Sequence, residues 1–251
     1  VIEIHPLQAI DEVLPGDCLP RLLADAINAQ GLRPESSDVL VVTHKIVSKQ
    51  EGRFVDLASV TPGLEAMELA AVTGKDARFV ELVLTESSAV VRAAPNVLIT
   101  RHRSGHVMAN AGIDRSNTGP GGTDRALLLP ADADASALRL REALQTYWPQ
   151  APAVVISDSF GRPWRYGVTN VAIGASGLPA LIDRRGERDR NDRKLEVTQV
   201  AFADLIAAAG GLATGEGAEG IPAALIRGLS WKAQDRPAGA LVRPVEEDLF
   251  R

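Results

Sequence analysis

The chain has one cysteine, Cys18, in 251 residues. That excludes an intramolecular disulfide and any cysteine-built metal cage, and it suits a reducing compartment. It lacks a basic excess: 27 lysines and arginines face 32 acids, for a net charge of -5. A broad nucleic-acid surface is excluded on that ground, so an anionic ligand must be met by local cations. No apolar run is long enough to span a bilayer. The greasiest, VAFADLIAAAGGLA, is interrupted by Asp204 and its glycines. The opening VIEIHPLQ has no basic-then-apolar leader, so the expected location is cytoplasmic, with no membrane partner.

Several signatures are also missing. The four histidines (His5, His44, His102 and His106) form no HxxxH or HExxH pair, which argues against a zinc protease. There is no GxxxxGK[ST], no GxGxxG after a strand and no GxSxG, which removes the P-loop, the dinucleotide fingerprint and the nucleophile elbow. Internal repeats and low-complexity tracts are absent too.

What remains is an ordinary globular composition, 45% hydrophobic and 24% charged. LPRLLADAINAQ is a predicted helix, capped by Asp17 and ended by Gly31, with Leu19, Leu22, Leu23, Ala26 and Ile27 on one face. DVLVVTHKIV reads as one strand. Helical spacing returns in LEAMELAAV, RFVELVLTES and ADADASALRLREALQTYW. NVLITRHRSGHVMANAG reads as a hairpin turning at Ser104-Gly105. AVVIS, VTNVAIG, LPALID and PAALIRG read as strands, and VTQVAFADLIAAA as a helix ended by Gly210-Gly211. Strands and helices mix without a strict βαβ rhythm, so the expected class is α/β or mixed α+β. The expectation is a single unit over 1–251, with a lobe boundary in the Gly/Pro-rich loop near 118–123.

Three acids lie where apolar segments give way to small residues: Asp114 in NAGIDRSN, Asp158 in VVISDSFG and Glu216 in TGEGAEGIP. Carboxylates with a hydroxyl make a hard oxygen set suited to Mg²⁺ or Mn²⁺. Taken singly, each also reads as a turn or capping acid, the commoner use. THKIVSKQEGR spaces Lys45, Lys49 and Arg53 four apart, a cluster able to hold phosphate oxygens or to serve as a solvated basic face. The strand before it and Gly52 after it favour a loop. FGRPWR adds Arg162 and Arg165, whose planar forks suit carboxylate and phosphate, around Trp164, which either stacks on a ligand or packs. The run DRRGERDRNDR alternates in sign and reads as a solvated loop.

GDCL, THKIVSKQEGR, NAGIDRSN, VVISDSFGRPWR, VAIGASGLPALIDRRG and IPAALIRG occur in that order. Together they resemble the coenzyme F420-0:γ-glutamyl ligase family, in its stand-alone form. KIVSKxEGR and D-(S/T)-x-GRPWR are the specific segments. The resemblance implies a two-lobed fold distinct from P-loop and Rossmann enzymes, and intertwined homodimers. It also implies an activity: GTP-driven attachment of the L-glutamate α-amine to the terminal carboxylate of the deazaflavin precursor F420-0, often extended as a γ-linked tail.

Carried over residue by residue, the resemblance puts two divalent ions on Asp114, Asp158, Ser159 and Glu216, with K⁺ as a further ion. The nucleotide falls to Ile10, Asp11, Glu12 and Val13, to His44, Lys49 and Asn117, and to the loop Thr214, Gly215, Glu216, Gly217, Ala218, Glu219, Gly220 and Ile221. Asp158 and Lys49 are its catalytic candidates. Arg162 and Arg165 are assigned to the acidic acceptor or the incoming glutamate on their chemistry alone.

The sequence departs from the family pattern at several points. Ala9-Ile10-Asp11-Glu12 replaces the usual Gly-Leu-Pro-Glu. His44 stands where Gln or Ser is frequent, Ser159 where Thr is, and Val168 and Asn170 where Gln and Asp are. Phosphoryl transfer to the acceptor carboxylate would give an acyl phosphate for the amine to attack. A nucleotide-dependent ligase or kinase on another carboxylate, and a non-catalytic GTP-binding module, are the alternatives.

Overall fold

The computed structural model describes residues 1–116 and 124–248. In chain order the elements are β1 (Glu3–Pro6), α1 (Leu19–Ala29), β2 (Val39–Thr43), α2 (His44–Gln50), β3 (Phe54–Asp56), α3 (Leu64–Thr73), α4 (Ala77–Thr85), β4 (Ser87–Ala94), β5 (Val97–His102) and β6 (Val107–Ala109). They continue with β7 (Arg125–Leu127), α5 (Ala133–Leu144), β8 (Ala153–Arg162), β9 (Arg165–Ser176), β10 (Leu181–Asp183), β11 (Gln199–Ala201), α6 (Phe202–Thr214) and β12 (Ala223–Arg227). The mixed α/β class is as expected. The lobe boundary placed near 118–123 lies outside the described residues.

The main sheet runs β1-β12-β2-β8-β9. Only β2 and β8 are parallel, and the other neighbours are antiparallel. Because side chains alternate across a strand, β2 and β8 feed two cores at once. Leu40, Val42, Val154 and Ile156 pack with Leu23 and Ile27 of α1 and Leu140 and Leu144 of α5. Val39, Val41 and Val155 pack with Ala203, Ile206 and Ala207 of α6. Burial on both faces explains why these strands read as unbroken apolar runs rather than alternating ones. A third cluster joins Phe79, Val80 and Val83 of α4 to Leu98 of β5 and Ala126 of β7.

Four local expectations change. The N-cap of α1 is Cys18, with no side-chain cap bond, and Pro20 occupies the first turn. Asp17 instead accepts the Leu14 N–H at 2.7 Å, tightening the turn before the helix. DVLVVTHKIV is not one strand. Pairing with β8 ends at Thr43↔Ser157, and His44–Gln50 winds into α2, so Lys45 and Lys49 sit on a helix rather than a loop. β8 does not stop after AVVIS. It runs on to Arg162 and returns as β9 through a hairpin at Pro163-Trp164.

The fourth change concerns α6. It begins only at Phe202, after β11, and continues through Gly210-Gly211 to Thr214. These glycines are packing residues: a β-carbon at 210 would stand 2.6 Å from Val41 Cγ1, and one at 211 would stand 2.6 Å from Asn170 Nδ2. The strand β4 carried no sequence expectation. It follows α4 directly and pairs with β5 through two irregularities in register.

Candidate active site

The end of β2, the middle of β8 and the end of α6 meet the segment 10–13 around a cavity of about 670 Å³. Ile10, Asp11, Glu12 and Val13 form one wall, and Thr43, His44, Lys45 and Lys49 another. Ser157, Asp158, Ser159 and Asn170 form the floor, and the loop from Thr214 to Pro222 closes the far side. The topology explains this convergence, since β2 runs parallel to β8 and ends at Thr43 opposite Ser157, which sets the start of α2 against the middle of β8.

His44 is the most confined polar group there, 2% exposed at the first residue of α2. Its Nε2 lies 3.1 Å from Asp114 Oδ2 and 3.3 Å from Asp158 Oδ1. Neither contact is aligned as a hydrogen bond, so the ring acts as a charge set between two carboxylates. Burial works against a charged ring, but the pull of Asp158 and Asp114 outweighs it and lifts the His44 pKa to about 9. Burial likewise works against the Asp114 carboxylate, yet His44 and then Lys45 hold its pKa below the usual range. Lys45 Nζ stands 3.6 Å from Asp114 Oδ2. Asp114 is anchored by a two-way backbone bridge to Leu127, at the end of β7.

One turn further along α2, Lys49 is 5% exposed and its Nζ lies 2.5 Å from Glu12 Oε1. Glu216 approaches from the opposite side, where its Oε1 accepts from Asn170 Nδ2 at 2.9 Å. Asn170 is the β9 partner of Ser159. Glu219 does not line the cavity; its carboxylate accepts the Gly217 N–H at 2.7 Å and so orders the loop.

The residues singled out from sequence therefore divide. Asp158, Ser159 and Glu216 line one cavity, and Asp114 reaches it through His44. Ile10, Asp11, Glu12, Val13, His44, Lys49, Thr214, Gly215, Gly217, Ala218, Gly220 and Ile221 line it too. Arg162 and Arg165 do not. They pair across the β8–β9 turn, where Arg162 Nη2 donates to the Tyr166 carbonyl at 2.8 Å. Asn117 lies outside the described residues. Sequence reasoning passed over Thr43 and Ser157, whose only signal was a polar residue ending an apolar strand.

The donor set suits a hard divalent ion. Asp114 Oδ2, Ser157 Oγ and Thr214 Oγ1 are buried and have no hydrogen-bond partner among the described residues. Oxygen atoms left in this way near carboxylates match what Mg²⁺ or Mn²⁺ takes. No three His, Cys, Asp or Glu side chains among the described residues already close around a single point. Asp114 and Asp158 converge at His44, while Glu216 faces them from the other wall.

A family model described as F420-0:Gamma-glutamyl ligase matches residues 8–228. The chain belongs to this family. It is 42% identical over 254 residues to a coenzyme F420:L-glutamate ligase of Methanopyrus kandleri, covering 100% of this chain and 98% of that protein. A protein of the same name from Methanothermobacter thermautotrophicus is 42% identical over 252 residues, covering 100% and 99%. That from Natronomonas pharaonis is 42% identical over 258 residues, covering 100% and 95%. As a member of the F420-0:gamma-glutamyl ligase family, the chain has a cavity of its own to set beside that name. No described helix is long and apolar enough to cross a membrane.

Proposed function

We propose that this chain is a GTP-dependent ligase. In this reading it forms an amide between the α-amine of L-glutamate and the terminal carboxylate of F420-0, releases GDP and phosphate, and extends the product with further γ-linked glutamates. The reading includes a cytoplasmic homodimer. Its main support, beside family membership, is that Asp158 and Glu216, from separate parts of the chain, line one cavity with two lysines and a histidine, and that Asp114 contacts that histidine.

Amide formation from a free carboxylate is uphill in water, so the acceptor must first be activated. In this proposal the acceptor carboxylate oxygen attacks the terminal phosphorus of GTP, and GDP leaves with the bonding pair. The glutamate amine then forms the C–N bond as the acyl–oxygen bond to phosphate breaks. Asp114, Asp158, Ser159 and Glu216 would hold two Mg²⁺ or Mn²⁺ ions, with K⁺ assisting. When bound, such ions offset the repulsion between the anionic reactants.

The chain's own residues supply positioning and charge. Lys49, at the centre of the cavity wall, exchanges its pairing with Glu12 for a phosphate oxygen. Lys45 shields Asp114. Backbone N–H groups of the loop 214–221 face the triphosphate. Holding two anions at reacting distance is the larger part of the acceleration. Arg162 and Arg165, beyond the cavity on the hairpin, are left to the acceptor's anionic arm.

The test is glutamate-dependent GDP release with F420-0 and Mn²⁺, with products weighed by mass spectrometry. A gain of one or more glutamyl units is expected. A gain of phosphate alone would mark a kinase, and GTP binding without turnover a regulatory module. Asp158→Ala should abolish turnover while the circular dichroism spectrum stays unchanged.

A further inference from the structure

A second cavity, of about 300 Å³, lies beside the first on the β8–β9 ribbon. Its walls carry His106, Arg101, Asp204, Arg243 and Asp248, with Phe160 at its base. Phe160 is two residues beyond Asp158 on β8, hence on the same face and about 7 Å along the strand. The His106 ring sits edge-on to Phe160, with centroids 5.9 Å apart. The charge of Asp158 is felt at His106. This cavity therefore adjoins the carboxylate edge of the proposed active site.

Its chemistry is that of a pocket for a small zwitterion. Two guanidinium groups answer two carboxylates, and two aspartates answer one ammonium. Arg101 is braced by Asp248 at 3.2 Å, and Asp204 by the Ala172 N–H at 2.9 Å.

His106 is also wired to a relay. The Ser104 N–H donates to His102 Nδ1 at 3.0 Å, which makes that nitrogen an acceptor. The His102 proton is then on Nε2, 3.8 Å from Glu86 Oε2. Ser104 Oγ lies 2.8 Å from His102 Nδ1 and 2.8 Å from His106 Nδ1. We assign the hydroxyl as donor to the first and acceptor from the second, the arrangement in which both contacts are hydrogen bonds once His102 Nδ1 is unprotonated. His106 Nε2 is thereby left as the ring's lone-pair nitrogen.

We propose that the smaller cavity holds the amino-dicarboxylate donor and that His106 Nε2 is the base that takes the proton from its attacking amine. This rests on the acyl-phosphate reading above. The amine nitrogen bonds to the acyl carbon, the acyl–oxygen bond breaks, phosphate leaves with the electron pair, and the surplus amine proton passes to His106. Ser104, His102 and Glu86 are positioning residues that fix the tautomer. Burial holds the His106 pKa below its ordinary value, against the opposing pull of Asp134 and Asp158. Arg101, Arg243, Asp204 and Asp248 are the remaining charged groups facing it. A neutral imidazole at neutral pH is the form a base needs.

The experiment replaces glutamate with hydroxylamine, a small nucleophile that traps an acyl phosphate as a hydroxamate. His106→Gln is expected to lower glutamate-dependent turnover about 100-fold while hydroxamate formation stays within about twofold of wild type. Ser104→Ala, at an exposed turn, should move the acid-side inflection of kcat and leave the KM for GTP in place. Arg243→Ala should raise the KM for glutamate but not that for GTP. Glutamate-dependent turnover of His106→Gln within about twofold of wild type from about pH 6 to 9 overturns the base. An unchanged glutamate KM in Arg243→Ala overturns the pocket. Absence of hydroxamate from the wild-type enzyme instead overturns the acyl phosphate itself, and the base with it.

Discussion

Gly211 of α6 lies so close to Asn170 of β9 that a β-carbon there would stand 2.6 Å from the amide nitrogen, the group that donates to Glu216. A helix–strand approach that needs glycine thus also aims an acid into the candidate active site.

Gly211→Ala is accordingly expected to push Asn170 aside and release Glu216, with a smaller effect on folding. Titration calorimetry with Mn²⁺ in the presence of GTP should show affinity weakened about tenfold, the scale seen when a group orienting a ligand is lost. Urea unfolding should show a loss of about 1 kcal/mol. Unchanged Mn²⁺ affinity would remove Asn170 and Glu216 from the site.

His44 supplies positive charge between Asp114 and Asp158. His44→Gln removes that charge and leaves two carboxylates facing each other. The metal-free protein should melt at a lower temperature, and Mn²⁺ should restore more of the loss than it does for wild type. Equal Mn²⁺-induced shifts in the two proteins would contradict the charge competition.

Asp38 is fully buried, and its carboxylate accepts from Arg227 Nη2 at 2.7 Å and from the Glu35 N–H at 2.9 Å. Asp38→Ala removes the buried partner of a guanidinium that still reaches solvent, and a loss of about 1–3 kcal/mol in urea unfolding is expected. Arg227 also donates to the Arg33 carbonyl, so Arg227→Met should break the pairing and free that carbonyl as well.

Asp76 caps α4 through the Arg78 N–H, and its pKa is lowered to about 2, chiefly by the Arg78 side chain. The folded value lies below the ordinary aspartate value of 3.8. Its contribution is therefore present above that value and fades as pH falls toward 2. Asp76→Asn should flatten the acid side of the stability profile across that window and leave its alkaline side unchanged. Parallel profiles for the two proteins would rule the contribution out.

Much of the site was legible in the chain because small residues and acids follow apolar strands at Asp114 and Asp158, and because KIVSKQEGR and DSFGRPWR are distinctive. The helix α2 was not. Its apolar residues continue the pattern of β2, and only the end of pairing with β8 shows where the strand stops. Gly210-Gly211 read as a helix end because glycine's local preference is visible in sequence, while the side chain of Val41 or Asn170 across the gap is not. The hairpin at Ser104-Gly105 was found, but the relay through Ser104 depends on ring orientations that only packing fixes.

By itself, then, the sequence determined the α/β class, the apolar runs of the central strands and the acids placed beyond apolar segments, since each follows from local pattern and composition. Tertiary structure alone decided that β2 and β8 run parallel with Thr43 opposite Ser157, that His44 lies between two carboxylates, and that two cavities adjoin. Those relationships join residues more than a hundred positions apart, and the register, crossover and close helix approach that unite them are set by the packed core rather than by neighbouring residues.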